Sequence, residues 1–380
     1  MFQLQQFLDA QAVQNLTRTR RVAESAQAPR GRYDGKDYLS FCSNDYLGLA
    51  NDPRIAKAMQ KGIDHYGVGS GASHLINGHS AAHHALEEEL ADFVGYERAL
   101  LFSTGYMANL GVVSGLLNRH DTVFADKLVH ASLIDATHLS RASLKRYAHN
   151  NVSALSSLLS SIRTTQKLVV TDGVFSMDGD IAPVSELLTQ AKQHDAWLLV
   201  DDAHGLGVIG EHGRGTLEVC GVDHQAQILV GTLGKAFGTF GAFVAGSHEL
   251  IETLIQRSRS YMYTTALPPS VAEASREGLR IVRGATDRRE KLASLIKRFR
   301  DGAEQLNLSL AESITPIQPL IVGSAKRAVE MSEALANKGL LISAVRPPTV
   351  PEGSARLRIS FSASHSDADV DTLLTALETV

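Results

Sequence analysis

Between Arg98 and Gly246 the chain alternates short apolar, largely β-branched runs with stretches whose apolar positions recur at helical spacing. The runs "RALLFS", "DTVFAD", "LKRYA", "KLVVT", "AWLLVD", "QILVG" and "GAFVAG" read as strands, and "VSELLTQAKQHD" after Pro183 is one of the helices between them. Strands alternating with helices predict a mostly parallel sheet covered on both faces. Ahead of it, "SAAHHALEEELADFVG" places Leu86, Leu90, Phe93 and Val94 on one side of a helix, and Gly95 supplies its stop. After Gly246 the pattern changes to long helices between Ser270 and Leu306, then "ITPIQPLIVG", a helix, "GLLISAV", "ARLRISFS" and a last helix. At the other end, Leu4, Phe7, Leu8, Ala12 and Leu16 follow the spacing of an amphipathic helix. The pattern predicts an α/β chain in three parts. Residues 1–50 form a helix and short strand segment, 51–285 a large domain with a mostly parallel central sheet, and 286–380 a small α/β domain.

Composition narrows the partners. Of 380 residues, 44% are hydrophobic and 21% charged, an ordinary globular balance with enough chain for a large core. With 37 basic and 41 acidic residues the net charge is -4, which argues against nucleic acid. No stretch approaches the roughly 18 apolar residues of a membrane span, and the first residues lack the pattern of a signal peptide. Cys42 and Cys220 have neither metal-ligand nor redox spacing, so they read as structural thiols of a reducing compartment. A cytoplasmic protein without a metal is expected.

Ligands of open α/β sheets bind beyond the carboxyl ends of the strands, so the residues after each strand carry the chemistry. After "RALLFS", Thr104 and Gly105 open a helix, an arrangement that suits a phosphate and equally an ordinary turn. After "DTVFAD" comes His130, and after "KLVVT" the loop "DGVFSMDGDIAP" offers Ser176, as a turn residue or as a ligand donor. "AWLLV" ends in Asp201, Asp202 and His204, and two carboxylates there are costly unless paired or exposed. "QILVG" leads into Thr232 and then Lys235, a lysine among glycines between apolar runs. This is no P-loop, and no G-x-G-x-x-G stands between a strand and a helix. Together the five loops form a kit for pyridoxal phosphate. They hold an amine for the aldehyde, a carboxylate for the ring nitrogen, imidazoles for the ring, and a helix start with hydroxyls for the phosphate.

On these residues, and on "FCSNDYLGLA", "GVGSGASHLINGHSAAHHALEEELADF", "HASLIDA", "TDGVFSMDGDIAP", "DDAHGLGVIGEHGRG", "GTLGKAFG", "YTTALPPS" and "AVRPPTVPEGSARLRISFSASH", the chain resembles the α-oxoamine synthase family. These are fold-type I pyridoxal-phosphate enzymes of the class II aminotransferase superfamily, and the resemblance spans nearly the whole chain. It implies that Lys235 forms the Schiff base and moves the substrate α-proton, that Asp201 pairs with the ring nitrogen, that His204 bonds the ring hydroxyl, and that His130 stacks on the ring. Gly105, Tyr106, Ser176 and Thr232 would surround the phosphate, with Thr264 and Thr265 reaching it from the second subunit of a homodimer. Arg358 would take the amino-acid carboxylate, with Arg18, Asn44 and Thr349 as further substrate contacts. Ala72 stands where the family often has a second glycine, and Leu206 where Ser or Thr is frequent.

The family condenses an amino acid with an acyl thioester and releases the thiol and carbon dioxide. Arg346, ahead of two prolines that fix its loop, implies an acyl chain ending in a carboxylate. That points to L-alanine with a pimeloyl thioester of coenzyme A or acyl carrier protein. An ion pair between Arg346 and Glu352 is the plain alternative. Glycine C-acetyltransferase, 5-aminolevulinate synthase and serine palmitoyltransferase are the rivals within the family. An aminotransferase-like enzyme and a non-catalytic binding module are the rivals outside its chemistry.

Overall fold

The computed structural model describes residues 3–380. Contacts divide the chain into two units. One takes the residues up to Asn51, Ser176–Asp180 and Asp287–Val380; the other takes Asp52–Phe175 and Ile181–Thr286. The N-terminal segment thus shares a unit with the C-terminal quarter of the chain.

In the first unit, helix α1 (Leu4–Val13) forms where the spacing predicts it, yet none of its residues is buried. Leu4, Phe7 and Leu8 stand 69%, 62% and 55% exposed, so the apolar stripe meets solvent. Strands β1 (Arg30–Tyr33) and β2 (Lys36–Ser40) pair as a hairpin. Its two-residue turn is Asp34–Gly35, both at positive φ, 48° and 76°, the backbone that matches the twist of the paired strands.

The second unit starts with α2 (Pro53–Tyr66), whose first turn is capped by the Asp52 side chain, and a short π-helix over His74–Gly78. Next comes α3 (Ala81–Val94), which buries Leu86, Leu90, Phe93 and Val94 and ends at Gly95 in the left-handed region. Strand β3 (Arg98–Phe102) leads into α4 (Gly105–Leu116), and β4 (Thr122–Asp126) into α5 (Ala131–Ser140). Strands β5 (Ser143–Tyr147), β6 (Lys167–Asp172), β7 (Trp197–Asp201), β8 (Ile228–Thr232) and β9 (Ala242–Gly246) follow. All seven join one sheet in the order β3-β9-β8-β7-β6-β4-β5. β9 runs against both of its neighbours, and the other pairings are parallel. The central strands are buried almost end to end, as expected where helices cover both faces.

The first unit is completed by β10 (Ile317–Gly323), β11 (Leu340–Leu341), β12 (Ser343–Val345) and β13 (Ala355–Ser360). β13 lies between β10 and β12, antiparallel to both, while β11 pairs in parallel with β2. This last pairing ties the N-terminal hairpin into the C-terminal fold.

Gly231 shows how tightly the large sheet is built just before Lys235. A Cβ there would stand 2.6 Å from Leu206 Cδ1 and closer still to the Phe243 ring. Gly231→Ala should therefore lower stability by about 1–3 kcal/mol through overpacking. The check is the denaturant midpoint at unchanged slope, and an unmoved midpoint would contradict this close approach.

Candidate active site

The inner parallel strands β4, β6, β7 and β8 are largely apolar and buried along their length, and the polar groups of the site cluster at their ends. β8 ends at Thr232, and the loop beyond it closes on itself: Leu233 donates to Gly241 O at 2.8 Å and Thr239 to Leu233 O at 2.9 Å. Lys235, half-buried in this loop, brings its Nζ to 2.8 Å from Nε2 of the buried His204. An ammonium has hydrogens only to give, so its partner nitrogen carries the lone pair. Thr232 donates its hydroxyl to Gly241 O at 3.1 Å.

Asp201 closes β7. Its Oδ2 accepts from Asn109 Nδ2 at 2.6 Å and its Oδ1 from the Ala203 N–H at 3.2 Å. Asn109 Nδ2 also reaches Ser132 Oγ at 2.9 Å, and Ser132 Oγ lies 2.7 Å from His130 Nδ1. Asp201, Asn109, Ser132 and His130 thus form one continuous network. The Ser132 N–H points at His130 Nδ1, 3.4 Å away, which makes Nδ1 the acceptor and leaves the hydrogen on Nε2. The His130 N–H donates to Asp172 Oδ1 at 3.0 Å. Asp172 ends β6 directly opposite Asp201 in the ladder. Burial, with the adjacent Asp201 charge added, pushes the Asp172 carboxyl well above the carboxylate range, against the pull of Lys235.

Helix α4 starts at the end of β3. The Thr104 side chain caps it by accepting from the Met107 N–H at 3.2 Å, and space beside the Gly105 Cα is open. Tyr106 donates its hydroxyl to Asp135. Thr264 and Thr265 stand outside the Asp201–His130 network: Thr265 is exposed and bridged to Ser73, and Ala266 donates to Ala72 O at 3.0 Å.

The first unit gathers a second set around β13. Arg358 is buried, and its Nε donates to Ser176 O at 2.6 Å, Nη1 to Ser360 Oγ at 2.7 Å, and Nη2 to Asn44 Oδ1 at 3.1 Å and the Tyr46 hydroxyl at 3.4 Å. Among the described residues no carboxylate pairs with it. Arg356, two positions earlier, does hold one, Asp178, at 2.5 Å. A guanidinium buried without an anion is costly, and its planar fork suits a carboxylate brought from outside. Arg18 Nη2 reaches Thr349 Oγ1 at 3.5 Å on the surface. Arg346 gives its Nη1 and Nη2 to the carbonyls of Asn15 and Thr17, not to Glu352. It lines a cavity of about 580 Å³ with Thr17, Arg21, Cys42 and Ser343.

Sequence reasoning passed over Asn109, Asp172 and Tyr46. An asparagine inside the apolar first turns of α4 was the available signal for the first, and an aspartate ending "LVVTD" for the second.

A family model described as aminotransferase class I and II matches residues 36–377. Among curated relatives, the 8-amino-7-oxononanoate synthase of Methylococcus capsulatus is 59% identical over 361 residues, 95% of this chain and 93% of its own. That of Thioalkalivibrio sulfidiphilus is 57% identical over 373 residues, 98% and 95% of the two chains. Among solved structures, a serine palmitoyltransferase from S. paucimobilis with bound PLP–myriocin aligns with TM-score 0.94 at 34% identity, covering 99% of this chain and 96% of that one.

Asp202 differs from its neighbour. It is fully buried, accepts from the Thr216 N–H at 2.7 Å, and is walled in by Gly173, Gly205 and Gly215. Burial lifts its carboxyl to about 7. The folded chain then holds a proton that the unfolded chain releases near pH ~4, so stability falls as pH rises between those values. Asp202→Asn should remove this dependence, up to about 1.4 kcal/mol per pH unit. Parallel unfolding profiles of variant and parent from acid to neutral pH would contradict it.

Proposed function

The chain belongs to the class I and II aminotransferase family, and we propose that within it the protein carries out the 8-amino-7-oxononanoate synthase reaction of biotin synthesis. L-alanine condenses with a pimeloyl thioester of coenzyme A or acyl carrier protein, and the thiol and carbon dioxide leave. The observation that carries this reading is the buried Arg358, which lacks an anion of its own, in a chain whose other unit pairs Lys235 with His204 beside the Asp201 network.

The residues present fit pyridoxal phosphate. They offer an amine at Lys235, a carboxylate held by Asn109 at Asp201, an imidazole at His130, and open backbone N–H groups at the α4 start, where Gly105 leaves room. Bound there, the cofactor supplies an aldehyde that captures amines and a ring that takes up the electron pair of a carbanion.

This chain's own residues do the rest. Arg358 receives the alanine carboxylate, with Asn44 and Tyr46 holding the guanidinium in plane. Lys235 Nζ takes the α-proton and returns one after carbon dioxide has left; the lone pair of His204 Nε2 keeps it aimed. Asp201 would pair with the ring nitrogen and favour its protonated form, and Asn109 fixes where the Asp201 carboxylate sits. His130 holds its proton on Nε2, free to donate to the thioester carbonyl oxygen as negative charge develops there. Ser176 and Thr232 would help hold the cofactor phosphate, and Arg18 and Thr349 would contact the substrate. Arg21 and Arg346 bring two cations to the cavity of about 580 Å³, suited to the far carboxylate of the acyl chain. The exposed Thr265 and its neighbour Thr264 would hold the cofactor phosphate of the second protomer in a homodimer. No helix among the described residues is long and apolar enough to cross a membrane, and the reading places the enzyme in the cytoplasm.

Thiol release should be fastest with L-alanine and pimeloyl-CoA, and the gene should restore growth without biotin to a strain lacking this step. Faster condensation of glycine with acetyl-CoA would overturn the reading. Arg346→Ala should raise KM for the acyl donor about 10- to 150-fold while that for alanine stays put. Equal rises in both constants would assign Arg346 to holding the Asn15–Thr17 segment alone.

A further inference from the structure

Four histidines around the start of α3 have no part in this chemistry: His74, His79, His83 and His84. Their hydrogen bonds sort them. His83 is committed at both nitrogens, with Nδ1 accepting the Ser80 N–H at 3.0 Å and Nε2 against Leu267 O at 2.6 Å. His74 stacks on Tyr261 with ring centroids 4.9 Å apart, and its Nδ1 lies 2.9 Å from His79 Nδ1. That contact uses His79 Nδ1 and leaves Nε2, which faces Glu87 Oε2 at 3.9 Å. Glu87 is 8% exposed, and its Oε1 accepts the Leu101 N–H at 2.9 Å. Burial raises its carboxyl to about 8. The nearby cation, Arg98, is engaged by Glu252 at 3.0 Å. His84, one helical turn before Glu87, is exposed, with Nε2 at 3.5 Å from Glu88. His79, His84 and Glu87 each offer one ligand atom, all within 4.8 Å of one another.

We propose that His79, His84 and Glu87 bind a divalent transition metal ion of the zinc class, with His74 as the outer partner that fixes the His79 ring. Two imidazoles and a carboxylate are a ligand set such ions take, and water fills the fourth position. Tetrahedral bonds of about 2.1 Å put ligand atoms about 3.4 Å apart, so the trio closes by roughly 1 Å, within reach of side-chain rotation. When His79 donates Nδ1–H to His74, its Nε2 lone pair is bare, the tautomer a ligand needs. A cavity of about 580 Å³ is lined by two of the trio, His84 and Glu87, with Glu88, Asp92, Glu97 and Arg98, and its carboxylates outnumber its one guanidinium and favour a cation. The second histidine grouping, His74 with His79 and His83, would have to give up the Ser80 and Leu267 bonds first.

The ion would join the end of the π-helix segment to α3. Ser73 bridges Thr265, and His83 holds Leu267, so the same clamp stiffens the base of the stretch carrying Thr264 and Thr265. The metal here braces the protein and takes no part in the reaction, so the site stands whether or not the assigned substrates are right.

The test uses untagged holoenzyme, freed of metal by a chelator and titrated with Zn²⁺ alone by calorimetry. One ion per chain should bind, and the thermal midpoint should rise with Zn²⁺ concentration. His84→Ala changes an exposed residue and should keep the cofactor absorbance and the dimer, yet weaken binding by roughly 100-fold or more and abolish the thermal shift. Glu87→Gln should do the same, and His74→Ala should weaken binding about 10- to 100-fold. Absence of saturable Zn²⁺ binding would overturn the proposal. So would a His84→Ala variant that binds as tightly as the parent, because the ion would then lie on other ligands.

Discussion

A parallel sheet covered on both faces has no place for polar groups except its strand ends, and this constraint organises the large unit. Carboxylates at those ends must stay ionised or take up a proton inside a low-dielectric surrounding. A short bond from Asn109 holds the Asp201 carboxylate in place. Asp172, facing Asp201 across the ladder, takes the proton, and Asp202 withdraws behind glycines onto the Thr216 N–H. His130 and Ser132 are hung on the same network. The polar groups at these strand ends are ordered around three buried acids.

Much of this was legible in the sequence. Seven apolar runs predicted seven strands, and all seven form the central sheet, because continuous apolar runs have few other uses in a chain of this pattern. Lys235 and Asp201 stood out because a charge beside an apolar run is expensive, and the structure brings Lys235 to His204. What stayed hidden depends on contacts between distant segments. Nothing near Asn109 in the sequence says that it meets Asp201, and nothing near Arg346 says that its guanidinium takes the carbonyls of Asn15 and Thr17. Helix α1 shows the opposite limit: its periodicity fixed the helix but not a partner for its apolar face.

The small unit applies the same logic to cations. Arg356 and Arg358 point to the same face of β13, two residues apart, in similar burial. One is neutralised by Asp178 and serves the fold. The other is surrounded by carbonyl, hydroxyl and amide oxygens, which orient it without cancelling its charge. Holding a full positive charge in that state costs stability, and the cost persists until a carboxylate arrives.

That unpaired guanidinium also bears on how a catalytic cycle ends. In the role proposed for Arg358, the group it would grip on alanine is the one the reaction discards as carbon dioxide. Once the bond to that carboxylate broke, the guanidinium would have nothing left to hold, and a fresh amino acid would outcompete the newly made ketone for the same arginine. Turnover would then be favoured by a grip that the chemistry itself dissolves.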